Sequence, residues 1–135
     1  PELLTPSGVA MMLASSGDCI NDAVARNPLQ TIASMEAVPN ALDVPRIKRL
    51  LNRNSPLYFP GAPRAPIYHY HASADEFAPL PPARKLTDKW CSEGVKVKRQ
   101  VDVGEHLTGV VVYSLPALAY LADRFAGKPA PNSCS

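Results

Sequence analysis

Two residues in the second half of the chain could carry out acid–base chemistry together, namely Asp75 and His106. In a catalytic triad, an acidic side chain holds a histidine ring in the useful tautomer, and the histidine takes the proton of a nucleophile. Asp75 precedes His106, and each lies in a segment with the composition of a loop. The pair therefore predicts the acid and the base of a triad whose nucleophile is a third residue.

Other polar residues near this pair suggest alternatives. Glu76 is a rival acid, although its ordinary interpretation is a solvated neighbour of Asp75. His69 and His71 lie two residues apart and, with Asp75, could begin a zinc site, but a third or fourth ligand at suitable spacing is absent. We therefore expect the two histidines to serve in packing, and we expect no metal and no other cofactor.

The chain offers no convincing nucleophile for the predicted triad. Ser73 and Ser92 lie in a loop and beside a helix end, and the sequence contains no Gly-x-Ser-x-Gly, the turn that exposes a nucleophilic serine. The chain begins at Pro1, without an initiator methionine or a signal peptide, which predicts a truncated start. We therefore expect the nucleophile to lie upstream of these residues.

The elements that would position the pair alternate between strands and helices. Residue types and periodicity predict, in order, a strand at 67–71, a helix at 83–91, a strand at 95–101 and a helix at 115–125. The intervening loops, 72–82 and 102–109, contain Asp75 and His106 respectively. Two strands joined by a helix run parallel, and parallel strands usually belong to a larger sheet. Because the carboxyl ends of parallel strands meet at one edge, we expect both side chains there.

Residues 1–60 have a different character from residues 61–135. Short apolar stretches at 9–13, 18–26 and 44–54 predict helices broken by prolines, with Asp43 as the N-cap of the last one. We interpret residues 1–60 as a helical, lid-like or cap-like segment. Residues 61–135 then form the strand-helix-strand-helix part of an α/β fold.

Composition excludes several classes of function. Of 135 residues, 46% are hydrophobic and 19% charged, which is typical of a globular domain, and no apolar run is long enough to span a bilayer. The net charge of +2, without a basic patch interleaved with aromatic residues, argues against nucleic acid as a partner. Three cysteines leave one without a partner inside the chain, which predicts a thiol partner in an upstream segment or another chain.

Several motifs, taken in order, resemble one protein family. They are APIY at residues 65–68, HASADE at 71–76, WC at 90–91, GEHLTG at 104–109 and AYLADRFAGKPAPNSC at 119–134. Together they resemble the C-terminal part of the secretory lipases, an actinobacterial and fungal family of the α/β-hydrolase superfamily. The resemblance covers roughly the last 75 residues, and Ala72 stands where glycine is commoner in the family.

The resemblance implies both a site and a function. Asp75 would be the triad acid and His106 the triad base of a secreted enzyme that hydrolyses triacylglycerols or simpler esters, with the serine upstream. The isolated chain would then be inactive. Cys91 and Cys134, at the end of one helix and in the tail after another, are expected to form a disulfide, leaving Cys19 for a cysteine upstream. The alternative is a non-catalytic hydrolase module used for binding or as a structural fragment.

Overall fold

The computed structural model describes residues 2–134, which divide into two compact units. The first unit ends at Asn54 and the second begins at Ser55. This division lies close to the sequence boundary between residues 60 and 61, while the lid-like role of the first part stays a prediction. No helix within residues 2–134 is long and apolar enough to cross a membrane.

The first unit is helical. Its elements are α1 (Pro6–Ala14), α2 (Ile20–Arg26), α3 (Ile32–Met35), a 3-10 turn (Ala41–Asp43) and α4 (Pro45–Arg53). Thr5 caps α1, because its hydroxyl accepts the Gly8 N–H at 3.1 Å. Gly8 lets α1 approach α3 closely: a Cβ at this position would lie 2.7 Å from the Met35 carbonyl oxygen. The sequence had not predicted α3, whose single turn is too short to show a helical period.

The start of α4 differs from the prediction in its cap. Pro45 occupies the first helical position and Val44 the N-cap, without a side-chain capping bond, so the expectation that Asp43 caps this helix was wrong. Proline favours the first position of a helix because its missing N–H would be unsatisfied there in any case. Asp43 instead ends the preceding 3-10 turn and forms an ion pair with Lys48 at 2.9 Å.

The second unit is built on two parallel strands joined by a helix, as the sequence predicted. After a 3-10 turn (Pro56–Tyr58) it contains β1 (Ile67–Ala72), α5 (Leu80–Ser92), β2 (Val97–Asp102) and α6 (His106–Phe125). The strands pair in the register Ile67↔Val97 to Ala72↔Asp102. α5 begins three residues earlier than expected, because prolines fit in the first turn of a helix, where no N–H is required.

The outer edge of β2 is covered by the C-terminal tail. Ser133 donates its N–H to the Val97 carbonyl at 2.7 Å, and the Asn132 side chain accepts the Val97 N–H at 3.1 Å. The predicted disulfide between Cys91 and Cys134 is confirmed, with Cα atoms 5.5 Å apart. It joins the last turn of α5 to this tail, so the cross-link holds the tail along the strand edge.

The last helix is much longer than the sequence predicted. α6 begins at His106, so the loop expected at residues 102–109 is reduced to the residues just before it, and the helix start expected at 115 was wrong. Gly109, three consecutive valines and Pro116 all weaken local helix propensity. Tertiary packing compensates for this low propensity. Tyr113 is almost fully buried, and its ring packs on Tyr70 of β1 with centroids 4.9 Å apart.

Candidate active site

The loop after β1 contains Asp75, and its first residues stay paired with the segment that follows β2. Ser73 donates its backbone N–H to Asp102 at the end of β2 (2.9 Å), and Ala74 donates to Gly104 (3.0 Å). These two bonds extend the pairing of the strands beyond the sheet. Asp75 therefore lies beside the short segment that leads into α6, as expected from the common edge of two parallel strands.

The Asp75 carboxylate is fixed by two backbone donors. Its Oδ1 accepts the N–H of Ala78 at 2.7 Å and that of Phe77 at 3.0 Å, and the side chain is only 9% exposed. The Ala78 N–H is the main cause that lowers the pKa of Asp75; His106 and the Phe77 N–H lower it further, against the opposing effect of desolvation. Asp75 is therefore an ionised hydrogen-bond acceptor around neutral pH.

His106 is the first residue of α6, and its ring meets this carboxylate. Nδ1 lies 2.9 Å from Asp75 Oδ2 and 3.1 Å from Oδ1, so the two side chains expected at the same edge of the sheet are in contact. Because an ionised carboxylate can only accept, Nδ1 carries the proton, and the neutral ring keeps a lone pair on Nε2. The Phe77 ring and the imidazole form a T-shaped pair, with centroids 5.2 Å apart. The side chain of His106 remains 36% exposed.

Two glutamates bind the backbone around His106 rather than its ring. Glu76 Oε2 accepts the backbone N–H of His106 at 3.2 Å, so the rival acid serves the start of the helix. Glu105 is the N-cap of α6 and accepts the N–H groups of Leu107 (2.8 Å) and Thr108 (2.7 Å). The Thr108 hydroxyl, followed by these N–H groups, lowers the pKa of Glu105. Negative charge at a helix N-terminus stabilises the helix. The carboxylate of Glu105 therefore favours a start of α6 at His106.

His71 supports the Asp75 loop, a role that the packing interpretation of this residue did not include. Its Nε2 lies 2.7 Å from the Ala78 carbonyl oxygen and, since a carbonyl only accepts, Nε2 donates. Ala78 also donates its N–H to Asp75, so His71 stabilises the loop that fixes the Asp75 carboxylate. His71 is 8% exposed, and its Nε2 is 4.0 Å from Asp75 Oδ2. The only sequence signal was its spacing of four residues from Asp75.

The remaining predicted residues lie in structural positions. His69 stacks near His71, with ring centroids 5.4 Å apart, and burial lowers the pKa of His69. The Ser92 hydroxyl donates to the Lys89 carbonyl at the end of α5 (2.7 Å). Cys19 is exposed and is the free cysteine of the described residues. Its expected pairing with an upstream cysteine stays a prediction.

A polar contact at the end of β2 holds α6 against this strand. The Tyr113 hydroxyl donates to Asp102 Oδ2 at 2.6 Å, and the Gln100 amide donates to the same oxygen at 2.9 Å. Burial, together with the bond to Asp102, raises the pKa of Tyr113 to about 12. One turn earlier, the Cβ of a residue replacing Gly109 would lie 3.2 Å from the Ala72 side chain, so α6 approaches the end of β1 closely. These contacts keep the first turns of α6, which begins at His106, close to the carboxyl ends of β1 and β2.

Comparison with protein families connects this geometry to known proteins. The model of one family, described as Secretory lipase, matches residues 2–133. The chain belongs to the secretory lipase family. The resemblance recognised in the motifs of the last 75 residues is therefore confirmed and extends over nearly the whole chain, including residues 2–60.

Two curated relatives of this secretory lipase chain are secreted lipases of Malassezia furfur. It is 29% identical to secreted triacylglycerol lipase LIP5 of Malassezia furfur over 138 residues, covering 96% of this chain and 36% of that protein. It is 29% identical to secreted triacylglycerol lipase LIP1 of the same organism over 124 residues, covering 86% of this chain and 25% of that protein. The chain thus spans between a quarter and just over a third of these relatives. Their secretion agrees with the predicted extracellular localisation and with the disulfide.

A solved structure establishes the fold. Candida antarctica lipase A in its closed state superimposes with a TM-score of 0.82 at 22% sequence identity, covering 98% of this chain and 34% of that chain. The secretory lipase chain therefore has the architecture of part of an α/β-hydrolase. Within that architecture, an imidazole with a protonated Nδ1 and a basic Nε2 can accept a proton from a hydroxyl group placed next to it.

Proposed function

We propose that this chain supplies the acid Asp75 and the base His106 of a Ser-His-Asp triad in a secreted lipase or related carboxylic ester hydrolase. The observation that carries the proposal is the contact between His106 Nδ1 and the Asp75 carboxylate, at 2.9 Å. It leaves Nε2 as the basic nitrogen on a side chain that is still 36% exposed. A metal ion is not required for this chemistry.

The mechanism follows from the protonation states. His106 Nε2 takes the proton of the serine hydroxyl while the serine oxygen attacks the ester carbonyl, and Asp75 stabilises the imidazolium that forms. The imidazolium then gives its proton to the departing alcohol, which leaves an acyl-enzyme. Water, activated by the same nitrogen, cleaves the acyl-enzyme, releases the carboxylic acid and restores the serine.

The nucleophile and the oxyanion hole would come from a part of the protein that precedes these residues. The chain contains no Gly-x-Ser-x-Gly, and it spans 25–36% of the length of its curated relatives. α6 also keeps large apolar side chains exposed, among them Leu107, Val111, Leu115 and Leu118 at 62–76%. Since such a surface favours burial, we infer that further hydrolase elements cover it.

The proposed substrate class, carboxylic esters of lipids, is taken from the names of the relatives. Relatives are named triacylglycerol lipases, and we propose that the ester bonds of triacylglycerols or of simpler esters are cleaved here as well. Residues 1–60 would form a helical lid or cap segment over the acyl chain. Their exposed apolar side chains, such as Met12, Leu13 and Ile20, support an apolar ligand in this region.

A comparison of two proteins tests the proposal. The isolated 135-residue chain should show no turnover of a p-nitrophenyl ester above background, because serine and oxyanion hole are both needed. The full-length protein should be active, and His106→Ala should lower its kcat by several orders of magnitude. Cleavage by the isolated chain, at a rate untouched by His106→Ala, would refute the assignment. An inactive full-length protein with its serine in place would instead favour a non-catalytic module.

A further inference from the structure

α4 is the most basic element of the chain. Four of its nine residues are basic and none is acidic. Arg46, Arg49 and Arg53 are spaced three and four residues apart, so they share one face of the helix. All three are exposed. This set of three arginines is called the arginine face of α4 below.

An apolar strip adjoins the arginine face. Ile47, Leu50 and Leu51 follow the same helical spacing, and Leu50 and Leu51 remain 57% and 46% exposed. A groove of about 550 Å³ runs along the boundary, lined by the three arginines together with Ile47 and Leu50. A short helix with an apolar strip next to basic residues is the arrangement of helices that lie in a membrane surface.

The positive charge of this face is not neutralised locally. Lys48, on the other side of the strip, is held by Asp43 at 2.9 Å. For the three arginines, by contrast, the described part of the chain provides no carboxylate at ion-pair distance. Three adjacent guanidinium groups repel one another, and an anionic partner removes that cost. Their planar donors also match phosphate oxygens.

We propose that α4 docks the protein on an anionic lipid surface, with the arginine face against phosphate groups and Leu50 at the level of the acyl chains. Charge complementarity selects anionic over zwitterionic lipid, and the exposed leucines favour a lipid layer over a soluble polyanion. The long apolar stems of the arginines can lie along the strip while their charged ends reach the headgroups. The docking surface lies wholly within the first unit and does not depend on the proposed triad.

Vesicle sedimentation tests the proposal without any catalytic step. The unmodified 135-residue chain should bind phosphatidylcholine vesicles containing phosphatidylglycerol, bind pure phosphatidylcholine vesicles far less, and lose the difference as salt rises. The triple variant Arg46→Gln, Arg49→Gln, Arg53→Gln should bind the anionic vesicles on the order of a hundredfold more weakly, or roughly fivefold for each arginine. The triple arginine-to-lysine variant should retain most of the binding, which separates loss of charge from loss of folding.

A charge-matched control uses exposed cations of the second unit. The triple variant Arg64→Gln, Arg84→Gln, Lys85→Gln removes three positive charges, as the α4 variant does. If α4 is the docking surface, it should change the affinity for anionic vesicles less than about threefold. Equal losses in both triple variants would overturn the proposal, because net charge alone would then explain binding. So would equal binding to both kinds of vesicle. Displacement of the vesicles by an oligonucleotide at the same phosphate concentration would also overturn it, by identifying a nucleic-acid surface.

Discussion

Replacing Asp75 with asparagine in the full-length protein should leave the loop intact and yet invert the tautomer of His106. Oδ1 of Asp75 is held by the N–H groups of Phe77 and Ala78, at 3.0 and 2.7 Å, and both of these can only donate. The asparagine oxygen must therefore occupy this position, which directs its NH₂ group to His106 Nδ1. Nδ1 then has to accept, the ring proton moves to Nε2, and the basic nitrogen facing the nucleophile is lost.

The expected result is a fall in kcat of about 10⁴-fold, since the wrong tautomer cannot act as a base, with little change in KM. Turnover of a p-nitrophenyl ester measures the effect, and thermal unfolding should show a Tm close to that of the unmodified protein. Glu76→Gln is the matched control: among the described residues Glu76 accepts the His106 backbone N–H alone, and the glutamine oxygen can accept it equally well. Its activity should stay within about threefold. A loss below tenfold for Asp75→Asn, or a larger loss for Glu76→Gln, would refute the reasoning.

Three further predictions concern stability and are measured by urea unfolding. Replacing Cys91 and Cys134 by serine opens a loop with a sequence separation of 43 and should lower the free energy of unfolding by about 4 kcal/mol; an unchanged value would mean that the tail is held by its hydrogen bonds alone. Gly8→Ala places a Cβ 2.7 Å from a backbone oxygen and should destabilise the first unit, whereas Gly17→Ala, which meets nothing within 4 Å, should not; equal effects would contradict the close packing of α1 on α3. Tyr113 has its pKa raised from 10.0 to about 12, so its neutral form contributes stability that is complete below pH 10 and lost as pH rises towards 12. Tyr113→Phe should flatten this alkaline decline, and the same slope in both proteins would rule out the assigned cause.

Local patterns were sufficient for the elements with a strong period. The aromatic and β-branched residues of β1 and the alternation in β2 predicted both strands to within two residues of their bounds. Their connection through a helix predicted parallel pairing, which the register confirms. Helix boundaries were less predictable from residue patterns. α4 begins at Pro45 and not after a capping Asp43, and α6 begins after Glu105, well before its apolar period becomes clear. Nine residues of α6, 106–114, were missed because Gly109 and the three valines that follow it oppose a helix locally.

The sequence by itself determined the fold class, the family, the disulfide pair and the two residues proposed for acid–base chemistry, because each depends on residue types, order and spacing along the chain. Only the tertiary structure decided that Glu76, the rival acid of the sequence analysis, binds the His106 backbone and not its ring. Asp75 and Glu76 are adjacent and chemically alike, and their partners depend on the direction of a loop fixed by His71 and by the pairing beyond β1. Hydrogen-bond directions of this kind arise from contacts between distant segments, which no local periodicity encodes.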